Sequence, residues 1–379
     1  MDDTTDIAII GGGVIGLSIG WELLRRDRSV TIFERDEIGA GASRAAAGML
    51  APRAELDFEE GELLDLGVES LARYPGFVDR LEEATGESVD FRTDETIVVA
   101  VDRDDAEALD HIHSFQTDLG LEVERIGADR ARELEPGLAP KIHSALLCEA
   151  DHQVDPIRLV DALGEAFVAA GGQLREGTAI REVGRAGGAV SGVLTEEGEE
   201  IEAENVVVAA GAWAPEIGGI PEGIMPHIRP VRGQMLACDL GDPPICQRVI
   251  RVPDPSQQDV YLVPKSDGRL LVGATSEERG FDPHLTAGGV FELLRGAYKA
   301  LPGIYDRNIL DLWTGFRPVT LSGQPVVGPT EIEGLWLAVG HGRGGILMTP
   351  LTAEIVAESL CADTPADQLD LFTRPSQSR

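Results

Sequence analysis

Three glycines and one acid near the start of the chain have the spacing of a dinucleotide-binding turn. Gly11, Gly13 and Gly16 form a G-x-G-x-x-G motif, and Glu34 follows 18 residues after Gly16. The first glycine permits a tight turn, the second lets the backbone approach a pyrophosphate, and the third lets a helix lie close to a strand. A carboxylate at the position of Glu34 accepts hydrogen bonds from ribose hydroxyls. This set predicts a bound dinucleotide.

The motif needs a strand before it and a helix after it, and the neighbouring residues supply both. Residues 6–10 and 30–33 are apolar runs typical of buried strands, and 17–28 has apolar residues at helical spacing with arginines in its last turn. A helix that begins at the turn directs free N–H groups and a positive dipole end at the phosphates. The small residues of 39–50 indicate backbone pressed against a ligand, a small-residue helix packed on a sheet, or both.

The rest of the chain alternates between helical patterns, short strands and glycine-rich turns. Asp155 directly before Pro156 predicts a helix start, because the acid caps free N–H groups and proline fits the first turn. Strand, turn and helix recur near the C-terminus, which predicts one dinucleotide domain assembled from separate segments. The further predictions are helices at 59–84, 104–119 and 347–360, strands at 95–101, 178–183, 189–195, 204–213 and 334–340, an antiparallel sheet within 226–317, a turn at 341–346, and disorder at 373–379.

The chain has a formal net charge of −34, from 66 acids against 32 bases. This charge repels nucleic acids and anionic membranes, so neither is expected as a partner. The acids are spread along the whole chain, which is typical of halophilic proteins, because the short Debye length at high salt screens self-repulsion. An ordinary acidic protein is the alternative, and association into a homo-oligomer stays open.

Composition also bears on location and on metal binding. The chain has no run of about 18 apolar residues, so no integral membrane segment is expected. No leader pattern precedes the first strand, so a cytoplasmic location is expected. The four cysteines are scattered without a C-x-x-C pair, so no metal site is expected.

Short blocks along the whole chain carry a family resemblance. They lie at 11–20 with Glu34, 41–51, 151–156, 206–213, 260–264, 273–275, 315–318, 325–328 and 340–350. Together these blocks resemble the D-amino-acid oxidase family of FAD-dependent oxidoreductases, and within it the glycine oxidases of thiamine synthesis. The resemblance implies FAD rather than NAD. It also implies that FAD is bound non-covalently, because no cysteine lies between Cys246 and Cys361 to form a covalent link.

The resemblance implies an α/β fold (α+β overall), with a Rossmann-type FAD-binding domain built from discontinuous segments plus an antiparallel-sheet substrate domain. The expected bounds are 1–88, 146–222 and 318–372 for the FAD-binding domain, and 89–145 and 223–317 for the substrate domain. The residues expected to contact FAD are Gly11, Gly13, Val14, Ile15, Gly16, Glu34, Arg35, Ser43, Arg44, Ala46, Ala47, Gly48, Ala210, Gly211, Trp213, Arg317, Gly342, Arg343, Gly344, Gly345, Ile346 and Leu347.

The resemblance also implies a substrate site for an amino acid. Arg317 is expected to pair with the substrate carboxylate, a structural ion pair being the alternative. Tyr261 is expected to donate to the same carboxylate or to form the pocket wall, unless it is a core aromatic. Arg343 is expected to assist, or else to contact only FAD or solvent, and Met49 to line the pocket over the flavin. His341 is not expected to act as a base, because hydride transfer needs positioning rather than a base on carbon.

The predicted reaction is oxidation of a small amino acid or N-methyl amine to an imine by hydride transfer to flavin N5, followed by hydrolysis to a 2-oxo acid. Oxygen or an electron carrier then takes the electrons. Gly342, Gly344 and Ser276 depart from residues common in glycine oxidases, so the substrate stays open among glycine, sarcosine and D-amino acids. One alternative is a dehydrogenase of the same fold that oxidises a D-amino acid, hydroxyproline or a 2-hydroxy acid and reduces a quinone or flavoprotein. Another is a flavin-binding protein without this chemistry.

Overall fold

The computed structural model describes residues 4–55, 61–253 and 259–362. The disorder predicted at 373–379 lies outside these residues, as does the start of the helix predicted at 59–84. The strands are β1 (Thr4–Ile10), β2 (Val30–Phe33), β3 (Met49–Leu50), β4 (Thr96–Ala100), β5 (Glu124–Gly127), β6 (Ser144–Cys148), β7 (His152–Gln153), β8 (Gln173–Arg175), β9 (Ile180–Ala186), β10 (Ala189–Thr195), β11 (Glu200–Val208), β12 (Ile228–Asp239), β13 (Val249–Val252), β14 (Val260–Pro264), β15 (Arg269–Gly273), β16 (Ile309–Thr320), β17 (Val326–Pro329) and β18 (Leu335–Val339). The helices are α1 (Val14–Leu24), α2 (Ala42–Ala45), α3 (Gly61–Thr85), α4 (Arg103–Asp118), α5 (Ala128–Leu134), α6 (Pro156–Ala169), α7 (Ala287–Ala300) and α8 (Thr349–Cys361).

The first sheet is mixed, with parallel strands at its centre. Its order is β17-β18-β11-β1-β2-β8, and β10 and β9 continue from β11. β1 is parallel to β2 and β11, and β11 is parallel to β18. β2 and β18 are buried along their whole length, as expected for parallel strands covered on both faces. The carboxyl ends of these four strands therefore meet at one edge, where α/β sheets bind ligands.

Helix α1 joins β1 to β2 and is buried from Val14 to Leu23. The prediction of a basic last turn was wrong, because the helix ends at Leu24 and the arginines follow it. The chain then reverses at Asp27, which has a φ of +59°, to enter β2. A β-carbon at Gly20 would lie 2.8 Å from the ring of Phe167, so α1 packs closely on α6 through this glycine.

The second sheet has the order β16-β12-β15-β14-β13-β4-β6-β5. It is antiparallel, as predicted, except between β4 and β13, whose parallel pairing joins segments distant in sequence. Helix α7 was missed inside the strand-rich stretch 226–317, although Thr286 caps it by accepting a hydrogen bond from Gly289 N. The helix packs on this sheet through Leu293 and Ala297.

The two sheets draw on alternating parts of the chain. Strands of the first sheet come from 4–33, 173–208 and 326–339, and strands of the second come from 96–148 and 228–320. The α/β fold class with an antiparallel second sheet is confirmed, whereas the exact domain bounds stay a prediction.

The predicted start of α6 is also confirmed, because the Asp155 side chain accepts hydrogen bonds from Ile157 N and Arg158 N. In the described part of the chain, none of the helices has the length and apolar character needed to cross a bilayer.

Candidate active site

A cavity of about 810 Å³ opens where the central strands of the first sheet end, and it extends to β12, β14 and β16 of the second sheet. Gly11, Glu34 and His341 border it directly after β1 and β2 and near the end of β18. All the sequence-predicted site residues lie on its wall except Gly16 and Arg44. The predicted residues on the wall are Gly11, Gly13, Val14, Ile15, Glu34, Arg35, Ser43, Ala46, Ala47, Gly48, Met49, Ala210, Gly211, Trp213, Tyr261, Arg317, Gly342, Arg343, Gly344, Gly345, Ile346 and Leu347.

The glycine turn after β1 requires glycine for steric reasons. Gly11 has a φ of +114°, and a β-carbon there would lie 2.5 Å from the carbonyl oxygen of Ala209. Gly16 lies off the cavity because it contacts the turn itself, and its β-carbon would lie 2.0 Å from Gly11 O. Gly13 precedes α1 and caps it without a side chain, and Val14 and Ile15 of the first turn lie on the cavity wall, where the N–H of Ile15 has no acceptor within the helix.

Glu34 is held in a fixed orientation at the end of β2. Its two carboxylate oxygens accept hydrogen bonds from Gly12 N at 2.7 Å and from Asp36 N at 3.0 Å. Each oxygen keeps a lone pair for a further donor, which suits ribose hydroxyls. The guanidinium of Arg35 lies 3.8 Å from the ring centroid of Trp213, so the two form a cation–π contact at the same end of the cavity.

The small-residue segment 39–50 contains the short helix α2, which lies against the cavity wall. The Ser43 hydroxyl accepts a hydrogen bond from Val14 N at 3.0 Å and ties α2 to the start of α1. Arg44, predicted to contact the cofactor, does not line the cavity. Its guanidinium bonds to Ile38 O and Asp161 instead, because successive residues of this single turn point in different directions.

The predicted C-terminal turn 341–346 lines the cavity and includes a 3₁₀ turn at Gly342–Gly344. Gly342 has a φ of +55°, which favours glycine. His341 is buried, its Nε2 lies 3.1 Å from Thr352 Oγ1, and burial lowers its pKa to about 4. The imidazole is therefore neutral near pH 7.

Arg317 and Tyr261 form the far wall of the cavity. Arg317 Nη1 donates to Thr275 O at 3.0 Å, and the guanidinium lies directly over Gly233. The Tyr261 hydroxyl lies 3.3 Å from Met235 Sδ. Burial raises the pKa of Tyr261 despite the opposing effect of Arg317, so the hydroxyl is protonated at neutral pH.

Several charged residues on the cavity wall were missed by sequence reasoning, and Arg251, Asp259 and Glu55 are three of them. Arg251 donates to Ala54 O and pairs with Asp259 at 2.5 Å, and Arg343 Nη2 donates to Glu55 O at 2.7 Å. Arg251, Asp259 and Glu55 all line the cavity. None of the three belongs to a recognisable motif, and the pairing of Arg251 with Tyr261 across β13 and β14 helps to bring that arginine to the site.

These features fit FAD. The glycine turn brings backbone to the cavity without side chains, the start of α1 lies on the cavity wall, and the carboxylate of Glu34 can accept from a ribose. The turn at Gly342–Gly344 brings further backbone to the same cavity. The arrangement therefore has donors for the phosphates at one point and an acceptor for the sugar at another, in a single cavity.

Known proteins resemble the chain over nearly its whole length. Residues 6–359 match the family described as FAD dependent oxidoreductase. Glycine oxidase of Geobacillus kaustophilus is 36% identical over 362 residues, which cover 93% of this chain and 92% of that protein. A crystal structure of glycine oxidase from the same species has a TM-score of 0.89 at 35% identity, with 98% of this chain and 99% of that chain covered.

A second relative is longer than this chain. The bifunctional protein ThiO/ThiG of Synechocystis sp. is 38% identical over 364 residues, which cover 94% of this chain. The chain spans about half, 52%, of the length of that relative.

The family match includes the glycine turn, Glu34, Arg317 and the C-terminal turn, all of which the structure brings to one cavity. The chain therefore belongs to the D-amino-acid oxidase family of FAD-dependent oxidoreductases, and its cofactor is FAD.

Proposed function

We propose that this chain oxidises a small amino acid or N-methyl amine, such as glycine, sarcosine or a D-amino acid, to an imine that water hydrolyses to a 2-oxo acid. The observation that carries the proposal is the position of Arg317 on the same cavity as the glycine turn. FAD, when bound, supplies the acceptor for the hydride that leaves the substrate Cα. The similarity to glycine oxidase supports a small substrate.

Arg317 binds the substrate carboxylate in this proposal. A carboxylate that leaves water needs a cation and hydrogen bonds, and the need is greater in a chain with a net charge of −34. A guanidinium has five N–H donors, and Thr275 O takes one from Nη1, which leaves donors for a bidentate pair. The contact with Thr275 also limits rotation of the guanidinium.

Tyr261 and His341 have different roles because of their protonation states. Tyr261 keeps its proton at neutral pH, and the sulfur of Met235 is only a weak acceptor, so the hydroxyl is available to donate to the carboxylate. His341 is neutral and lies against Thr352, so it orients the turn rather than carrying charge. Met49 and Met235 supply apolar wall that excludes water from the reacting Cα.

The first experiment is anaerobic mixing of the holoprotein, in molar KCl, with glycine, sarcosine, D-amino acids and 2-hydroxy acids while the flavin absorbance is followed. We expect bleaching by at least one amino acid. Bleaching by 2-hydroxy acids alone would contradict the proposal. Peroxide formed after air is admitted would support oxygen as the acceptor, whereas slow reoxidation without peroxide would favour the dehydrogenase alternative.

A variant then tests the residue that carries the proposal. Arg317→Ala should raise KM for the best amino acid by about 100-fold, since hydrogen bonds to charged groups contribute about 1.5–3 kcal/mol each. Arg295→Ala is the matched control, because Arg295 pairs with Glu292 on α7, away from the cavity. An unchanged KM in Arg317→Ala would overturn the carboxylate assignment.

A further inference from the structure

A polar cluster built around a buried arginine and a buried glutamine lies behind Arg317, on the opposite face of β12 from the cavity. Val231, Gly233 and Met235 line the cavity, whereas Arg232 and Gln234 point the other way and are both 0% exposed. This is the alternation of a strand between its two faces. A fully buried arginine and a fully buried glutamine are costly unless they are paired, so their partners are informative.

The partners of this cluster converge on Glu277. Its carboxylate accepts from Arg232 Nη2 at 2.6 Å, from Gln234 Nε2 at 2.6 Å and from the Thr275 hydroxyl at 2.7 Å. Burial raises the pKa of Glu277, but these three hydrogen bonds outweigh burial and hold the pKa below its usual value. Arg232 also pairs with Asp282 at 3.1 Å. The cluster is therefore an ionised, hydrogen-bonded unit.

Thr275 joins the cluster to the cavity. Its hydroxyl accepts from Gln234 N at 2.8 Å while donating to Glu277, and its own N–H donates to Gln234 O at 3.2 Å. Its carbonyl oxygen accepts from Arg317 Nη1 at 3.0 Å. Three hydrogen bonds thus hold the residue whose carbonyl orients the guanidinium.

We propose that Thr275 is a positioning residue for substrate binding, and that its hydroxyl, held between Gln234 and Glu277, fixes the orientation of the Arg317 guanidinium. This inference rests on the proposed function, in which Arg317 binds the carboxylate. Thr275 acts through Arg317 and takes no part in the oxidation itself. Loss of the Thr275 hydroxyl should therefore weaken the binding of a carboxylate more than it slows the oxidation of the bound substrate.

Thr275→Val tests the inference, because valine keeps the shape and removes the hydroxyl. We expect KM for the best amino acid, and Kd for acetate measured by calorimetry on the holoenzyme, to rise about three- to tenfold. The turnover number should change by less than about twofold. Thr275→Ser restores the hydroxyl and should restore both constants. Thr117→Val is the matched control, because this threonine on α4 loses one hydroxyl bond, to His113 O, and does not line the cavity.

A double-mutant cycle separates this inference from the proposed function. In an Arg317→Ala background, Thr275→Val should change kcat/KM by less than about twofold, because the group that Thr275 orients is gone. If Thr275→Val lowers kcat/KM as much in the Arg317→Ala background as in the parent enzyme, Thr275 has a purely structural role and the inference is overturned. Equal constants for Thr275→Val and the parent enzyme would also overturn it, while leaving the proposed function intact. An Arg317→Ala variant with normal KM would overturn both.

Discussion

Gly233 should be intolerant of even the smallest side chain, because the guanidinium of Arg317 occupies the space above it. A β-carbon at residue 233 would lie 2.8 Å from Arg317 Nη1 and 3.1 Å from both Cζ and Nη2. Non-bonded heavy atoms prefer separations of about 3.5–4.0 Å, so the guanidinium must move by roughly 1 Å. A misplacement of that size costs about 100-fold in rate when it affects substrate positioning.

We therefore expect Gly233→Ala to lower kcat/KM for the best amino acid by about 10- to 100-fold. The thermal midpoint should change little, because the atom displaced is the end of a flexible side chain. Steady-state kinetics and thermal unfolding of the FAD-bound protein measure the two effects. Gly288→Ala is the control, since a β-carbon at this position, near the start of α7, would meet no other atom within 4 Å. Normal kcat/KM in Gly233→Ala would refute the placement of Arg317 at the substrate carboxylate.

Three further predictions concern the cofactor, pH and salt. Gly11→Ala should yield protein that loses FAD on gel filtration, because its β-carbon would lie 2.5 Å from Ala209 O; a retained flavin spectrum would contradict this. Burial lowers the pKa of His341 from 6.5 to about 4, so between these pH values the unfolded chain binds a proton that the folded chain does not. The free energy of unfolding should therefore decrease by up to about 3 kcal/mol as pH falls from about 6.5 to 4. His341→Gln should flatten this part of a urea-unfolding profile, and an unchanged slope would argue against a neutral buried imidazole. Raising KCl from about 0.1 to 1 M shortens the Debye length from about 10 to 3 Å, so the thermal midpoint should rise; a falling midpoint would count against adaptation to high salt.

Features that follow a local pattern or a fixed spacing were predictable from the sequence. The Asp155 cap bonds to Ile157 N and Arg158 N, a few residues away. The glycine turn and Glu34 follow the spacing of a strand, a turn, a helix and a second strand, although Gly11 also packs against Ala209. Errors occurred at one helix boundary and at a strand pairing that joins distant residues. The reversal at Asp27 shortened α1, and β4 joined the second sheet in parallel with β13.

The sequence by itself determined a dinucleotide turn, an acid for the ribose and, through family resemblance, FAD and a candidate arginine for the substrate. Spacing along the chain was enough for the turn and the acid, because a strand, a turn and a helix in succession place them together. Only the tertiary structure decided that Arg44 points away from the cavity, that Arg251 and Asp259 form part of its wall, and that Thr275 holds Arg317. Arg44 and Asp161 are 117 residues apart and Thr275 and Arg317 are 42 apart, and no local pattern encodes that they meet.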